Sequence, residues 1–194
     1  FKKRPIMRIQ KAAIGGMCVL MVCGCQPSGE KASIRAARLA DIAASEQQFR
    51  GMLEQEADVD WTSPEVQEAA SSLLRQYAAF ANGFRGDRLA PLFLMRRADL
   101  LEGKGAAEAA VGQWIDVAEG FPRSALAPQA IFRVGFAREA ALTDTLGALK
   151  AYSELMQVYP ESPWAEQAGL AAQWLTFRED QVGGALEQGQ VGNP

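Results

Sequence analysis

The chain contains no histidine, and its three cysteines all lie within the first 25 of its 194 residues. Without histidine there is no Ser-His-Asp or Cys-His catalytic system, and no zinc site built from histidine and cysteine. A site made only of carboxylates, as in many glycosidases, stays open. Because no cluster of polar motifs points to such a site, we predict a protein that is not an enzyme and needs no metal or cofactor. A carboxylate-based enzyme on a helical scaffold is the less favoured alternative.

Long hydrophobic runs are also missing. The apolar stretch from Ala12 to Val22 has eleven residues, whereas a membrane-spanning helix needs about 20. It follows a basic opening without acidic residues and ends at small residues before Cys25. This order is typical of a secretory signal. We predict a cleaved signal over residues 1–24, with translation starting at Met7; an uncleaved signal anchor is the alternative.

The end of this segment, Val22-Cys23-Gly24-Cys25, resembles the lipobox of bacterial lipoproteins. The resemblance implies that Cys25 is lipidated and becomes the first residue of the mature protein, which then contacts the membrane through its acyl chains. In that family an aspartate after the cysteine retains the protein in the inner membrane. Gln26 stands there instead, which implies the periplasmic face of the outer membrane. Residues 25–30 would form a short lipidated tether.

Removal of the signal changes the net charge of the protein and the number of cysteines that could form a disulfide. The segment carries five basic residues and no acidic ones, so its loss takes the net charge from −3 to −8. An acidic surface repels phosphate backbones, and nucleic acid is therefore not expected as a partner. Two of the three cysteines leave with the signal, and lipidation occupies the third, so no disulfide can form.

Strand-like alternation of apolar and polar residues is absent from residue 31 onward, while strong helix formers dominate. We therefore predict an all-α fold over residues 31–182, with about seven helices, followed by a flexible tail at 183–194. The predicted helices span 31–55, 64–82, 90–102, 105–119, 125–141, 145–158 and 162–181.

Similar residues recur along the chain at steps of 37 and 38 positions. One set is aromatic, one is apolar, and one consists of good helix N-caps. The three sets are Tyr77, Trp114 and Tyr152; Phe80, Val117 and Leu155; and Asp87, Ser124 and Ser162. A period of this length built from paired helices is typical of a helical-repeat solenoid, with the aromatic set buried between helices.

Part of this repeat resembles the second half of the tetratricopeptide repeat. The matching residues are Ala110, Trp114 and Pro122, and again Ala148, Tyr152 and Pro160. The endings Phe-Pro-x-Ser and Tyr-Pro-x-Ser resemble those of envelope tetratricopeptide proteins of the BamD and YbgF types. The resemblance implies a lipid-anchored periplasmic adaptor that binds envelope proteins in outer-membrane protein assembly, and no small-molecule substrate. A coordinator of Tol–Pal function, cell division or secretion is the alternative.

In tetratricopeptide folds the first helix of each pair lines a concave groove, which suggests a partner-binding site on helices 90–102, 125–141 and 162–181. Two repeat columns follow these helices: Met95, Phe132 and Leu170, then Asp99, Phe136 and Trp174.

We hypothesise that Phe132 and Phe136 supply affinity for a partner peptide, while Arg96 and Arg133 bind its carboxylates. Burial of the aromatic residues between repeats is the alternative for Phe132 and Phe136. For the arginines the alternatives are a solvated face or an ion pair within a helix.

Overall fold

The computed structural model describes residues 27–54 and 60–190, and these residues form seven α-helices and no β-strand. The predicted all-α class and the number of helices are confirmed. The helices are α1 (Pro27–Glu54), α2 (Pro64–Gly83), α3 (Ala90–Gly103), α4 (Ala107–Gly120), α5 (Ala127–Ala140), α6 (Thr145–Val158) and α7 (Pro163–Gln190).

The largest differences from the predicted boundaries are at the two ends of the stack. Helix α1 already begins at Pro27, so that four of the residues assigned to the tether are helical. Helix α7 continues past Gly183 to Gln190, through most of the segment predicted as a flexible tail. The signal segment 1–24 and the lipidation site Cys25 lie outside the described residues.

The predicted N-cap set occupies the turn before each of three helices. The side chains of Asp87, Ser124 and Ser162 each accept a hydrogen bond from the backbone N–H two residues later, at 2.9, 3.2 and 3.2 Å. Each of the three also donates its own N–H to the carbonyl of the aromatic residue three positions earlier. The same turn is thus built three times, although the regular helices begin one to three residues after the capping side chain.

Ser63, before α2, does not form such a cap. It occupies the N-cap position of α2, with Pro64 in the first turn, but its side chain makes no capping bond. Its hydroxyl instead donates to the carboxylate of Glu65 at 2.7 Å. Asp144, before α6, does cap its helix by accepting from Gly147 N–H at 2.8 Å.

Each helix packs against its neighbours in the sequence, and α5 also contacts α7. The connections are short, which makes consecutive helices antiparallel neighbours. Two hydrophobic clusters fill the interior, one around Tyr77 and Phe80 and the other around Trp114 and Tyr152. All three members of the aromatic column are buried, as are all three members of the column that contains Phe80. In these two columns, equivalent sequence positions therefore have equivalent burial.

None of the helices in 27–54 and 60–190 contains an apolar stretch long enough to cross a bilayer.

Candidate protein-binding surface

The two arginines proposed to bind a partner are both in internal ion pairs. Arg96 on α3 lies 2.5 Å from a carboxylate oxygen of Glu46 on α1. Arg133 on α5 lies 3.1 Å from Asp99 and 2.8 Å from Glu102, both on α3. An ion pair within one helix was an alternative considered for these arginines. Each observed pair instead joins two helices that are not consecutive in the chain.

A third pair extends this pattern to the last helix, since Arg178 on α7 lies 3.7 Å from Glu139 on α5. We call each of these sites a junction: a carboxylate on one odd-numbered helix, an arginine on the next odd-numbered helix, and an aromatic residue on the even-numbered helix between them. The three junctions are Glu46, Tyr77 and Arg96; Glu102, Trp114 and Arg133; and Glu139, Tyr152 and Arg178.

The aromatic member contacts one charged member in every junction. Tyr77 and Tyr152 donate their hydroxyls to Glu46 and Glu139 at 2.8 and 3.4 Å. The ring of Trp114 instead lies under the Arg133 guanidinium, 5.1 Å from its centroid. Burial, followed by the neighbouring carboxylate, raises the pKa of both tyrosines above the ordinary value. The first and third junctions therefore hold neutral phenols. All three junctions join odd-numbered helices that are not consecutive in the chain.

This geometry changes the role of Arg96 and Arg133. Both guanidinium groups are partly exposed, so each ion pair stabilises the fold by no more than about 1 kcal/mol. They are nevertheless already paired with carboxylates of the same chain. A partner's carboxylate would have to compete with these acids, and the structure thus favours a stack-stabilising role for the two arginines over partner recognition.

The two candidate phenylalanines behave differently from each other. Phe132 packs against Tyr152 and Trp164, with ring centroids 5.7 and 5.1 Å away. It belongs mainly to the contact between helices, which was the alternative considered for it. Phe136, one turn later on α5, is exposed. Phe136 is therefore the only one of the four proposed residues that is both exposed and without an internal ion pair or aromatic contact in the described part of the chain.

Helix α7 exposes three large apolar side chains, Leu170, Trp174 and Phe177, at spacings of four and three residues. They consequently lie on one side of the helix. Trp174 is 57% exposed, and its ring stacks on that of Phe177 with centroids 6.1 Å apart. The opposite side of α7 is buried through Ala168 and Leu175. Helix α7 thus has two apolar sides, of which the described structure covers one.

Phe136 lies next to this surface. It precedes Glu139 by one turn of α5, and Trp174 precedes Arg178 by about one turn of α7. Glu139 and Arg178 are ion-paired, while Phe132 near the start of α5 contacts Trp164 at the start of α7, so the two helices run in the same direction. We call the four exposed residues Phe136, Leu170, Trp174 and Phe177 the apolar face.

The repeat explains why the apolar face is open. Met95, Phe132 and Leu170 occupy one column, and Met95 is 3% exposed and Phe132 partly buried, whereas Leu170 is 62% exposed. Phe177 stands in the column of Glu139, whose carboxylate meets the following two helices in a junction. In α7 these positions have no following helices over them within the residues described.

The sequence pointed to part of this surface. It placed Phe136 and Trp174 in one repeat column and selected Phe136, but it did not select Leu170, Trp174 or Phe177. Their spacing at i, i+4 and i+7 is a detectable signal. This spacing predicts a buried apolar stripe as readily as an exposed one. Only the packing of α7 shows that these three side chains are exposed.

Comparisons with known proteins add no identification. No protein-family model, no curated protein and no solved structure matches the chain significantly.

Proposed function

We propose that the protein is a lipid-anchored adaptor at the periplasmic face of the outer membrane, and that it binds a helical segment of an envelope protein through the apolar face. The observation that carries the binding part of the proposal is the exposure of Leu170, Trp174 and Phe177 on one side of α7. Contiguous exposed patches of this kind mark interaction sites, and tryptophan is prominent among residues that dominate binding energy.

The repeat supports a helix as the occupant. In α5 the equivalents of Leu170 and Phe177 are covered by α6 and by α7. A partner's amphipathic helix on α7 would take the place of these following helices and bury the same positions. Its apolar side chains would meet residues that span about two turns of α7, the usual reach of an i, i+4, i+7 set of anchors.

The anchoring part of the proposal is supported by the lipobox resemblance at Val22–Cys25 and by the resemblance of the repeats to envelope tetratricopeptide proteins. The BamD type, which acts in outer-membrane protein assembly, combines a lipidated cysteine with such repeats. The YbgF type remains the alternative machinery. In both cases the partner is a protein, and the fold would supply a rigid surface rather than a reaction.

We expect Cys25→Ala to abolish processing and acylation. The wild-type protein should partition into the detergent phase of a cell extract, and its mass should show acyl chains on a chain that begins at Cys25. The variant should retain residues 7–24 or appear in the aqueous phase. A soluble wild-type chain with an unmodified Cys25 would exclude lipid anchoring.

We expect the double substitution Trp174→Ala and Phe177→Ala to weaken partner binding by at least about 30-fold, since a single hot-spot aromatic already contributes roughly 2 kcal/mol or more. The measurement is the yield of a crosslink from a photoreactive residue at position 170 to envelope proteins in intact membranes. The free energy of unfolding should change by less than about 0.5 kcal/mol, as for most surface positions.

The matched control is the pair Leu146→Ala and Val158→Ala, which removes two exposed apolar side chains on α6. It should leave the crosslink unchanged. Equal yields from the α7 variant and the wild type would refute the apolar face as the binding site. Sedimentation of the purified full-length chain tests a second copy as occupant: a dimer that the α7 variant dissociates would replace the envelope partner by self-association.

A further inference from the structure

A polar cavity of about 590 Å³ opens between α2, α3 and α4, away from the apolar face. The next three helices, α4, α5 and α6, form a smaller cavity of about 280 Å³. The two are lined by residues at equivalent repeat positions. The equivalent pairs are Ala78 and Ile115, Ala81 and Ala118, Leu94 and Ile131, and Asp116 and Glu154. The cavities can therefore be compared position by position.

The two cavities differ at two equivalent lining positions, which we call their floors. In the smaller cavity the floor contains Val134 and Ala151, both buried. Arg97 and Gln113 occupy these positions in the larger cavity, and Gln113 is only 5% exposed. The guanidinium group of Arg97 and the side-chain amide of Gln113 thus stand where the smaller cavity has two apolar side chains. The smaller cavity shows that the fold does not require polar residues at these two positions.

A third residue that departs from the repeat also lines the larger cavity. Arg85 stands in the column of Pro122 and Pro160 and lines the larger cavity together with Arg97. The three residues that depart from the repeat lie on α3, on α4 and in the turn after α2. All three nevertheless line the same cavity.

The hydrogen bonds in this floor are incomplete. Arg97 Nη1 donates to Gln113 Oε1, and Gln113 Nε2 donates to Asp116 at 3.1 Å. The Nε–H of Arg97 is buried without an acceptor. Within the described residues neither Arg97 nor Arg85 forms an ion pair. A buried donor without an acceptor destabilises the fold. Arg97 as a whole is partly buried and Arg85 is exposed, so only the Nε–H group carries this cost.

We propose that this cavity binds a small ligand through an oxyanion, a carboxylate or a phosphate, held by Arg97 and Arg85. The guanidinium group presents a planar set of donors that matches both anions, and the volume lies in the range of small-molecule sites. The ligand oxygen would supply the missing acceptor for Arg97 Nε–H. Asp116 and Glu119 lie at the exposed edge, where they favour a ligand that also carries ammonium or hydroxyl donors.

The test uses the full-length chain in detergent with two probes, inorganic phosphate and triglycine, whose terminal carboxylate and ammonium groups are well separated. At a concentration ten times its Kd, the bound probe should raise the Tm by about 3–6 °C. The double substitution Arg97→Val and Gln113→Ala, which installs the residues of the neighbouring cavity, should fold and lose this shift. Arg123→Ala, which removes an exposed positive charge elsewhere, should retain it.

A second readout is the NMR signal of Arg97 Nε–H, which should shift on addition of the effective probe. Arg85→Ala, at the edge of the cavity, should weaken the probe-dependent shift without affecting the fold. A response to phosphate alone identifies a phosphate ligand, and a response to triglycine alone a carboxylate. If neither probe raises the Tm of the wild type more than that of the double variant, and the Arg97 signal stays in place, the proposal is wrong. These results do not depend on lipidation or on the apolar face.

Discussion

Trp114→Ala is expected to lower the free energy of unfolding by about 3–5 kcal/mol, the usual cost of truncating a core aromatic residue. Trp114 is fully buried and belongs to the larger hydrophobic cluster, which reaches from α3 to α7. Its removal leaves a cavity between consecutive repeats. It also removes the ring on which Arg133 lies, so that the middle junction loses its aromatic member. Chemical denaturation followed by circular dichroism measures the effect.

The matched control is Trp174→Ala on the apolar face, the same substitution at an exposed position. It should change the free energy of unfolding by less than about 0.5 kcal/mol. A structural role for Trp114 would be refuted by a loss no larger than that of the control.

Gly135→Ala is expected to destabilise the protein by about 1–3 kcal/mol or more, as overpacking of a core does. A Cβ atom at this position would lie 2.7 Å from Cδ1 and 2.9 Å from Cζ of Tyr152. The ring is fully buried and cannot move aside without disturbing the contact between α5 and α6. The thermal melt should shift downward, and near-ultraviolet circular dichroism should report the changed environment of the ring.

Gly112→Ala provides the comparison in the preceding helix. No atom lies within 4 Å of a Cβ built at Gly112, so that alanine should stabilise α4 by up to about 1 kcal/mol through its higher helix propensity. The two glycine substitutions should thus have opposite signs. Equal effects at both positions would contradict the close packing of Gly135 on Tyr152.

The helices could be predicted from the sequence because the signals for them are local. Helix formers, the apolar period and the capping residues at Asp87, Ser124 and Ser162 act over one or two turns. The repeat of 37 and 38 residues adds a constraint of the same kind, since burial at Trp114 predicts burial at Tyr152. The start of α1 and the end of α7 were harder to predict, because the described residues contain no further element beyond either of them that would require a turn there.

The candidate surface could be predicted only in part. Phe136, which its column placed on a predicted groove helix, is exposed, but periodicity alone cannot distinguish an apolar stripe that is covered from one that is open. The cavity at Arg97 shows the same difficulty. The residues that depart from the repeat are visible in the sequence, yet their convergence on one cavity depends on how α2, α3 and α4 pack together.

By itself the sequence therefore determined an all-α chain with seven helices, a repeating core and a lipobox-like segment at its start, since each of these is encoded by neighbouring residues or by a fixed period. The tertiary structure decided what the polar and aromatic residues on that framework do. Arg96 pairs with Glu46, fifty positions away, whereas Trp174 remains in solvent. Such pairings depend on which helices meet in space, and residue type or spacing does not fix them.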